Sequence, residues 1–290
     1  MEITNNNHIT GGQGGDGARG GEGSVEFTTD QNINGSTGGS GGIGGSAIYG
    51  NNIKINNTGD ITGGLGGTGG EGGSGDTDEY DPTDSLPLGT GGTGGTGGIG
   101  GTGGIAISGN NMEINNYGNI IGGNGGTGGD GGDGGRSLEN NKTGAGGNGG
   151  NGGNGGTAIS GSDITINNHG RILPGSGGQE GESNVHFPGG VSGDRGQDCD
   201  TAISLNGGTN SLNLFAGSVI QSDIVLNNVV NNADGNSLSI TNKDSTSSEI
   251  KGNLSAGTGT HVSVSGADVT FSGSSVFDTD SSLNRSTGSR

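Results

Sequence analysis

The sequence predicts an all-β protein: a right-handed parallel β-helix, or solenoid, with inserted hairpins of polyglycine II helix that form a side bundle. Two observations predict this fold. A short unit with alternating apolar residues recurs along the chain, and long tracts with a Gly-Gly-x period separate its copies. The chain has 78 glycines and only 23% hydrophobic residues, too few for a conventional core. We therefore expect the ordered structure to come from stacking of the repeated units rather than from a conventional core.

The repeated unit consists of Ala-Ile, a Gly/Asn turn, an alternating apolar pair, Asn-Asn and x-Gly-x-Ile. Full copies span residues 47–61, 106–120 and 158–172, a truncated copy spans 3–9, and a diverged copy spans 202–219. Apolar residues at every second position are typical of strands. We therefore expect three short strands per rung, each about three residues long and turned by Gly and Asn.

Stacked units are expected to align their apolar residues in interior columns and their Asn-Asn pairs in amide ladders. Strands this short are not stable alone, so each rung must bury its apolar residues against its neighbours. The predicted columns are Ile55, Ile114, Ile166 and Leu214; Ile48, Ile107, Ile159 and Ile203; and Ile61, Ile120, Ile172 and Val219.

Four long excursions separate the rungs, each with a glycine arm, a non-glycine middle and a second glycine arm. The three-residue period matches an extended helix with three residues per turn, whereas a flexible linker needs no phase. The excursions span residues 10–46, 62–105, 121–157 and 173–201, with middles at 24–37, 76–88, 136–145 and 183–200. The predicted domains are residues 1–201, which hold rungs and hairpins; 202–280, which form plain coils; and a disordered tail at 281–290.

Charge and composition exclude several classes of partner. The net charge is −19, with 10 basic and 29 acidic residues, which disfavours nucleic acid and anionic membrane surfaces. No apolar run approaches the ~20 residues of a membrane span, so direct membrane insertion is not expected. Cys199 is the single cysteine, so no internal disulfide can form. No signal peptide precedes the repeats, and we expect the chain to be a fragment.

The C-terminal segments LNGGTNSLNLFAGSVIQSDIVLNN, NSLSITN and EIKGNLSAG resemble the passenger region of bacterial type V autotransporters. That resemblance implies a right-handed β-helix at the bacterial cell surface or secreted, displayed on the outer membrane of Gram-negative bacteria. The hairpins with variable tips are similar to the polyglycine sandwich of certain phage tail-fibre adhesins, whose tip loops choose the receptor. A secretion signal and a membrane barrel are absent from the sequence, so the resemblance implies a fragment.

The middles of the excursions are the candidate binding loops. In a chain with few apolar residues, aromatic and apolar side chains at the ends of polar arms are expected to pack together or to bind a partner. We therefore expect a non-enzymatic adhesin that binds a cell-surface protein or glycan, with self-association as a further candidate. The candidate ligand-binding residues are Phe27, Tyr80, Leu86, Leu138, His186, Phe187 and Arg195.

Two other functions stay open. The hydroxyl row Thr90, Thr93, Thr96 and Thr102, spaced ~9.3 Å per three residues, resembles an ice-binding surface, so a structural spacer or ice-binding protein is the alternative. A polysaccharide-active β-helix enzyme is the third candidate. It ranks last because the rungs carry few of the charged residues that such chemistry needs.

No catalytic residue, metal site or cofactor is predicted. His8 and His169 are assigned to one turn position of the rung. Thr58 and Tyr117 occupy that position in other rungs, which indicates a solvent-facing turn position rather than a catalytic one. The aspartates in the glycine triplets lack the apolar residue of calcium-binding nonapeptides.

Overall fold

The computed structural model describes residues 1–23, 33–76, 91–136, 142–184, 189–227, 236–243, 248–265, 269–277 and 282–285. These residues contain β-strands and no helix. The strands are β1 Glu2–Asn5, β2 His8–Thr10, β3 Ile48–Tyr49, β4 Ile53–Asn57, β5 Asp60–Thr62, β6 Ile107–Asn116, β7 Asn119–Ile121, β8 Ile159–Asn168, β9 Arg171–Leu173, β10 Thr201–Leu205, β11 Gly208–Leu214, β12 Val219–Gln221, β13 Asp223–Leu226, β14 Asn236–Asn242, β15 Ser248–Lys251, β16 Leu254–Ala256, β17 Thr260–Ser265, β18 Val269–Phe271, β19 Ser275–Phe277 and β20 Ser282–Arg285.

The strands stack as a parallel β-helix. Equivalent strands of successive rungs pair in parallel, as β4 with β6 and β6 with β8. The strands that close each rung form a separate sheet in the order β18-β15-β12-β9-β7-β5-β2. The other strands form one large sheet. The predicted fold class, an all-β parallel solenoid, is confirmed.

The interior is a column of buried aliphatic side chains between the sheets. One predicted column is confirmed in full, since Ile48, Ile107, Ile159 and Ile203 pair in register. Each of these side chains is buried. Because a rung has only a few apolar residues, this stacking supplies the hydrophobic burial that the composition cannot give to a globular core.

The diverged rung shifts two of the predicted columns. Ile166 pairs with Leu212, whereas Leu214 pairs with Asn168, so the prediction of Leu214 in the Ile166 column is wrong. In this register Asn213 lies beside Asn167, and its Nδ2 donates to Asn167 Oδ1 at 2.7 Å.

The third column ends in Ile220 rather than in the predicted Val219. Ile220 pairs with Ile172, and Val219 pairs with the exposed Arg171. Ile220 is fully buried. A slip of one residue would have moved the whole strand to the opposite face.

Two rungs have longer strands than expected. β6 and β8 each run for ten residues through the Gly/Asn turn, so the prediction of three-residue strands is wrong there. The turn lies inside the strand: Gly109 and Gly161 have φ of 149° and 156°. Asn111 and Asp163 follow with φ of 53° each, a left-handed conformation that Asn and Asp adopt more readily than most residues.

Two amide ladders run along one corner of the rungs, as the Asn-Asn pairs predict. The inner ladder is buried and joins Asn5, Asn57, Asn116 and Asn168, each Nδ2 donating to the next Oδ1 at 2.8 Å. The outer ladder is half-buried and joins Asn56, Asn115, Asn167 and Asn213. Leu214 ends the inner ladder by taking the next position in that column.

The described residues of the C-terminal tail form a strand. Ser282–Arg285 form β20, which pairs in parallel with β17, so the prediction of a disordered tail is wrong for these four residues. An unpaired strand edge offers backbone donors and acceptors that a following segment can satisfy.

Candidate functional site

The glycine arms lie side by side in two layers. We call residues 11–23, 63–76, 122–136 and 174–184 the outgoing arms, and residues 33–46, 91–105, 142–157 and 189–200 the return arms. Backbone hydrogen bonds join the two arms of each hairpin antiparallel, as in Gly95 N to Gly73 O at 2.7 Å. Arms of successive hairpins within a layer run parallel, as in Gly66 N to Asn124 O at 2.9 Å.

Each Gly-Gly-x triplet uses its two glycines differently. The first glycine donates to the carbonyl of a variable residue in the next hairpin of the same layer, as Gly69 does to Thr127 at 2.8 Å. The second donates to a glycine carbonyl in the opposite layer, as Gly70 does to Gly39 at 2.7 Å. The pattern repeats every three residues, the period of an extended threefold helix.

The close approach of the arms requires glycine inside the bundle. A Cβ atom on Gly126 would lie 1.9 Å from the carbonyl oxygen of Gly67, and one on Gly97 would lie 1.8 Å from that of Gly129. The obstructing atoms are backbone, so neither clash can be relieved by a side-chain rotation. The glycines therefore maintain the spacing between arms, and only the variable position can carry a side chain.

The variable residues point outward and form two broad faces. We call them the outgoing face and the return face, after the arms that bear them. The variable residues of the outgoing arms are Gln13, Asp16, Arg19, Glu22, Leu65, Thr68, Glu71, Ser74, Asn124, Thr127, Asp130, Asp133, Arg136, Ser176, Gln179 and Glu182. Those of the return arms are Asn34, Thr37, Ser40, Ile43, Ser46, Thr93, Thr96, Ile99, Thr102, Ile105, Lys142, Ala145, Asn148, Asn151, Asn154, Thr157, Val191, Asp194, Gln197 and Asp200.

Asn and Asp side chains on these faces cap the backbone of the next hairpin. Asn151 Oδ1 accepts from Asp194 N at 2.9 Å, and Asp16 Oδ1 accepts from Thr68 N at 2.9 Å. The hydrogen bond from the Thr68 backbone lowers the pKa of Asp16 from its ordinary value, because it stabilises the carboxylate. The outward N–H of a variable residue thus has a side-chain acceptor where the equivalent variable residue of the preceding hairpin is Asn or Asp.

The two faces differ in charge. The outgoing face carries acidic residues from all four hairpins, and Arg19 lies 3.2 Å from Glu22. From residues 34 to 46, 93 to 105 and 145 to 157, the variable residues of the first three return arms are all uncharged: hydroxyls, amides, alanine and isoleucine. Lys142, at the tip end of the third return arm, and Asp194 and Asp200 of the fourth return arm are charged. Ile43 and Ile99 on this face are 73% and 54% exposed, which is high for large apolar side chains. Thr93, Thr96 and Thr102 of the predicted Thr row are therefore part of a wider uncharged surface on the first three return arms.

Most of the predicted site residues lie outside the described residues. Phe27, Tyr80, Leu86, Leu138, His186 and Phe187 belong to this group, and Thr90 also lies outside them.

Arg195 is the exception, and the structure places it in the return arm of the fourth hairpin rather than at a tip. Gly193 and Gly196, on either side of it, donate to Gly181 and Gly178. Its guanidinium lies 3.4 Å from Asp198. The predicted fourth middle at 183–200 is therefore too long, and so is the first, since Ile33 already accepts from Asp76 N.

The roots of the tip loops lie together at one end of the bundle. Asp76 N donates to Ile33 O at 3.0 Å, Gly92 N to Asp76 O at 3.0 Å, Gly135 N to Gly92 O at 2.7 Å and Gly144 N to Gly135 O at 2.8 Å. The first three loops, at 24–32, 77–90 and 137–141, therefore begin or end at residues joined by direct backbone hydrogen bonds. The fourth hairpin joins them through a side-chain hydrogen bond between Asn184 and Asp133.

An aromatic stack lies on the rungs, away from the glycine bundle. The ring centroids of Tyr117 and His169 are 4.3 Å apart, and those of His169 and Phe215 are 3.8 Å apart. Stacked rings stabilise neighbouring rungs. His8 is not part of this position, contrary to the sequence assignment, because it pairs with Asp60 in register and its Nδ1 lies 3.2 Å from Asp60 Oδ2.

Charged groups on the rungs form local pairs. Lys54 Nζ lies 2.9 Å from Glu113 Oε1, and this hydrogen bond raises the pKa of Lys54 and lowers that of Glu113. Both groups line an open cavity of about 520 Å³ on the rung surface. The described residues hold no cluster of three His, Cys, Asp or Glu side chains arranged for a metal ion. They also hold no helix of the length and apolarity that crossing a membrane requires.

Comparisons with known proteins place the chain in no family. No family model matches it, and no curated protein matches it. A solved structure from Granisotoma rainieri, described as a springtail antifreeze protein with a bundle of nine polyproline type II helices, is 26% identical. The match covers 65% of this chain and 95% of that one, with a TM-score of 0.16. At this TM-score the two chains do not superpose as wholes, and the likeness assigns neither fold nor function to this chain.

Proposed function

We propose that the chain is a non-enzymatic adhesin fragment, displayed on the bacterial surface or secreted, which binds a cell-surface protein or glycan through the loops at the tips of its hairpins. One observation carries the proposal: the hydrogen-bonded ladder between arms continues without a break to the roots of the loops. Every arm is tied to neighbours at each triplet. Binding loops carried on a rigid scaffold lose less conformational freedom when they bind.

The arrangement of the roots also supports a composite surface. Ile33, Asp76, Gly92 and Gly135 follow one another through direct backbone hydrogen bonds across three hairpins. Loops that begin this close together can contact one ligand jointly. A partner could then be recognised by several short segments, as in other scaffolds that carry variable loops.

Replacing the tip loops tests this proposal. In the test variant, residues 24–32, 77–90, 137–141 and 185–188 are replaced by Gly-Ser turns, which leave all the described arms in place. Beads coated with the original chain should attach to cultured epithelial cells, and beads coated with the variant should not. Circular dichroism of both proteins serves as the folding control. Equal attachment by a folded variant would refute binding through the tips.

A second candidate function is binding to ice, and the neutral return face favours it. Parallel neighbours in this layer are hydrogen-bonded in register: Gly38 N donates to Thr96 O, and Gly97 N donates to Asn148 O. Small hydroxyl, amide and aliphatic groups therefore repeat both across the arms and along them, at ~9.3 Å per triplet. The uncharged array on the first three return arms is ordered in two dimensions. Such an array is suited to an ordered water lattice, because it presents a similarly regular set of polar and apolar groups.

The two faces provide a matched test of the ice-binding candidate. Thr96 lies on the return face and Thr127 on the outgoing face, and both are exposed variable residues. Thr96→Glu should abolish inhibition of ice recrystallisation, and Thr127→Glu should leave it unchanged. No inhibition by the original chain, or equal loss in both variants, would rule out the return face as an ice-binding surface.

A further inference from the structure

Three large apolar side chains protrude from the return face. Ile43, Ile99 and Val191 are 73%, 54% and 62% exposed, and they lie in the return arms of the first, second and fourth hairpins. Among the described variable residues of the outgoing arms, Leu65 is the one large apolar residue, and it is 43% exposed. Exposed apolar groups gathered on one face and surrounded by polar residues are typical of protein–protein contact surfaces.

The two isoleucines lie in adjacent arms and one triplet apart. Gly41, the residue after Ser40, donates its N–H to Ile99 O at 2.8 Å, so Ser40 lies beside Ile99. By the same register, Ile43 lies beside Thr102. Each isoleucine therefore protrudes next to a smaller hydroxyl residue. Such a surface has protrusions and hollows, which a second copy of the same surface can fill.

The return face also presents backbone donors. The N–H groups of Thr96, Ile99 and Thr102 donate to no acceptor among the described residues, whereas Thr93 N donates to Asn34 Oδ1 at 2.9 Å. Water satisfies such donors on an exposed surface, and a hydroxyl oxygen of a second copy can take the place of that water. A contact on this face can therefore include hydrogen bonds as well as apolar packing.

Charge determines which faces of two copies can meet. The outgoing face carries Asp16, Glu71 and Asp130 among its acidic residues, so two outgoing faces would bring carboxylates against carboxylates. An outgoing face against a return face would bury carboxylates that have no positive partner. Two return faces avoid both costs, because residues 34–46, 93–105 and 145–157 carry no charge at their variable positions.

The uncharged part of the return face is large enough for a specific contact. Five variable residues in each arm span four triplets, about 37 Å at ~9.3 Å per triplet. Three arms at about 5 Å each, the spacing of hydrogen-bonded strands, give a width of about 15 Å. Two such surfaces would bury about 1,100 Å² in total, above the ~1,000 Å² expected of a specific interface. A hairpin added at either lateral edge would widen this face rather than cover it.

We propose that the return faces of two copies of this chain pack against each other around a two-fold axis and form a homodimer. Ile43 and Ile99 of each copy would pack among the small side chains of the other. Hydroxyl groups such as that of Thr96 would accept from the free backbone N–H groups. The same patch then serves both copies, as in most symmetric dimers. The proposal does not depend on binding by the tip loops, and such a dimer would cover the surface that ice binding requires.

Sedimentation equilibrium at room temperature, where no ice competes, measures the dimer over a range of chain concentrations. We expect a dissociation constant in roughly the micromolar range. The test variant Ile99→Glu brings a carboxylate from each copy into the contact, so dimerisation should weaken by about tenfold or more. The matched control Leu65→Glu changes an exposed apolar residue of the same hairpin on the outgoing face, and it should leave the dissociation constant unchanged. Circular dichroism confirms that both variants fold.

Salt and hydrogen exchange provide two independent measurements. Raising the salt from about 0.02 M to about 0.3 M should tighten the dimer, because salt screens the repulsion between two acidic copies. Exchange at the amides of Thr96 and Ile99 should slow on dimerisation, whereas exchange at Thr127 and Asp130 on the outgoing face should not. A chain that stays monomeric at every concentration, equal affinity in the two variants, or a dimer that salt weakens would each overturn the proposal.

Discussion

The spacing between arms should make one interior methyl group very costly. In Gly126→Ala, the new Cβ atom would lie 1.9 Å from Gly67 O and 2.6 Å from Gly67 C. The arms would have to separate, which strains the bonds from Gly126 N to Gly101 O and from Gly153 N to Gly126 O, both 2.8 Å. Two lost hydrogen bonds at about 1 kcal/mol each, with about 1–3 kcal/mol of overpacking, predict a loss of about 3–5 kcal/mol.

Gly15→Ala is the matched control, because its Cβ atom would meet nothing within 4 Å and Ala18 already occupies an equivalent position. There, reduced freedom of the unfolded chain should stabilise the protein by about 0.4–1 kcal/mol. Urea unfolding followed by circular dichroism and hydrogen exchange of the arm amides measure both variants. If Gly126→Ala is as stable as Gly15→Ala, the bundle is not packed at backbone contact and the steric argument fails.

Two further predictions concern polar groups. Asn116→Leu should destabilise the rungs by about 2–4 kcal/mol in urea unfolding, since Asn57 Nδ2 and Asn168 Oδ1 lose their partner in a buried ladder; a neutral result would show that water replaces the amide. Asp16 has a lowered pKa because Thr68 N donates to its carboxylate. Its contribution to stability is therefore present above its unfolded pKa and lost as pH falls through the folded pKa. Asp16→Asn keeps the acceptor for Thr68 N, so this variant should lose less stability than the original chain below about pH 4. Stability measured against pH that falls equally in the two proteins would contradict this.

The sequence predicted the solenoid because its strongest signals are periodic. Ile48, Ile107, Ile159 and Ile203 occupy the same position in four units, and their alignment follows directly from the repeat. The register of the diverged rung did not follow, because Leu212 and Leu214 are both apolar and alternate correctly. The observed register is accompanied by polar contacts that the apolar pattern does not predict: Asn213 Nδ2 donates to Asn167 Oδ1, and Ile164 N donates to Asn210 Oδ1.

The glycine arms were predictable in period but not in arrangement. The triplet phase identifies which residues carry side chains, yet it does not say which layer borders which. Comparing outgoing with return variable positions would have shown the neutral face from the sequence alone, since acids such as Asp130 and Glu71 lie only in outgoing arms of the first three hairpins. Pro174 has no N–H at the first-glycine position of the fourth outgoing arm, and Asp198 Oδ1 accepts from Gly177 N in the same arm. Neither role could be predicted from the sequence, because each depends on which arm lies beside it.

In each triplet the two glycines pair with different neighbouring arms and the third residue carries the side chain. This arrangement limits how the bundle can change in evolution. Removing or adding one residue in an arm would rotate every later residue by a third of a turn, so that side chains such as Asn151 would point into backbone. Arms can therefore lengthen or shorten only by whole triplets of codons. The length of a hairpin therefore changes in steps of three residues, whereas the number of hairpins depends on the number of rungs. The length of the hairpins and their number can therefore evolve independently.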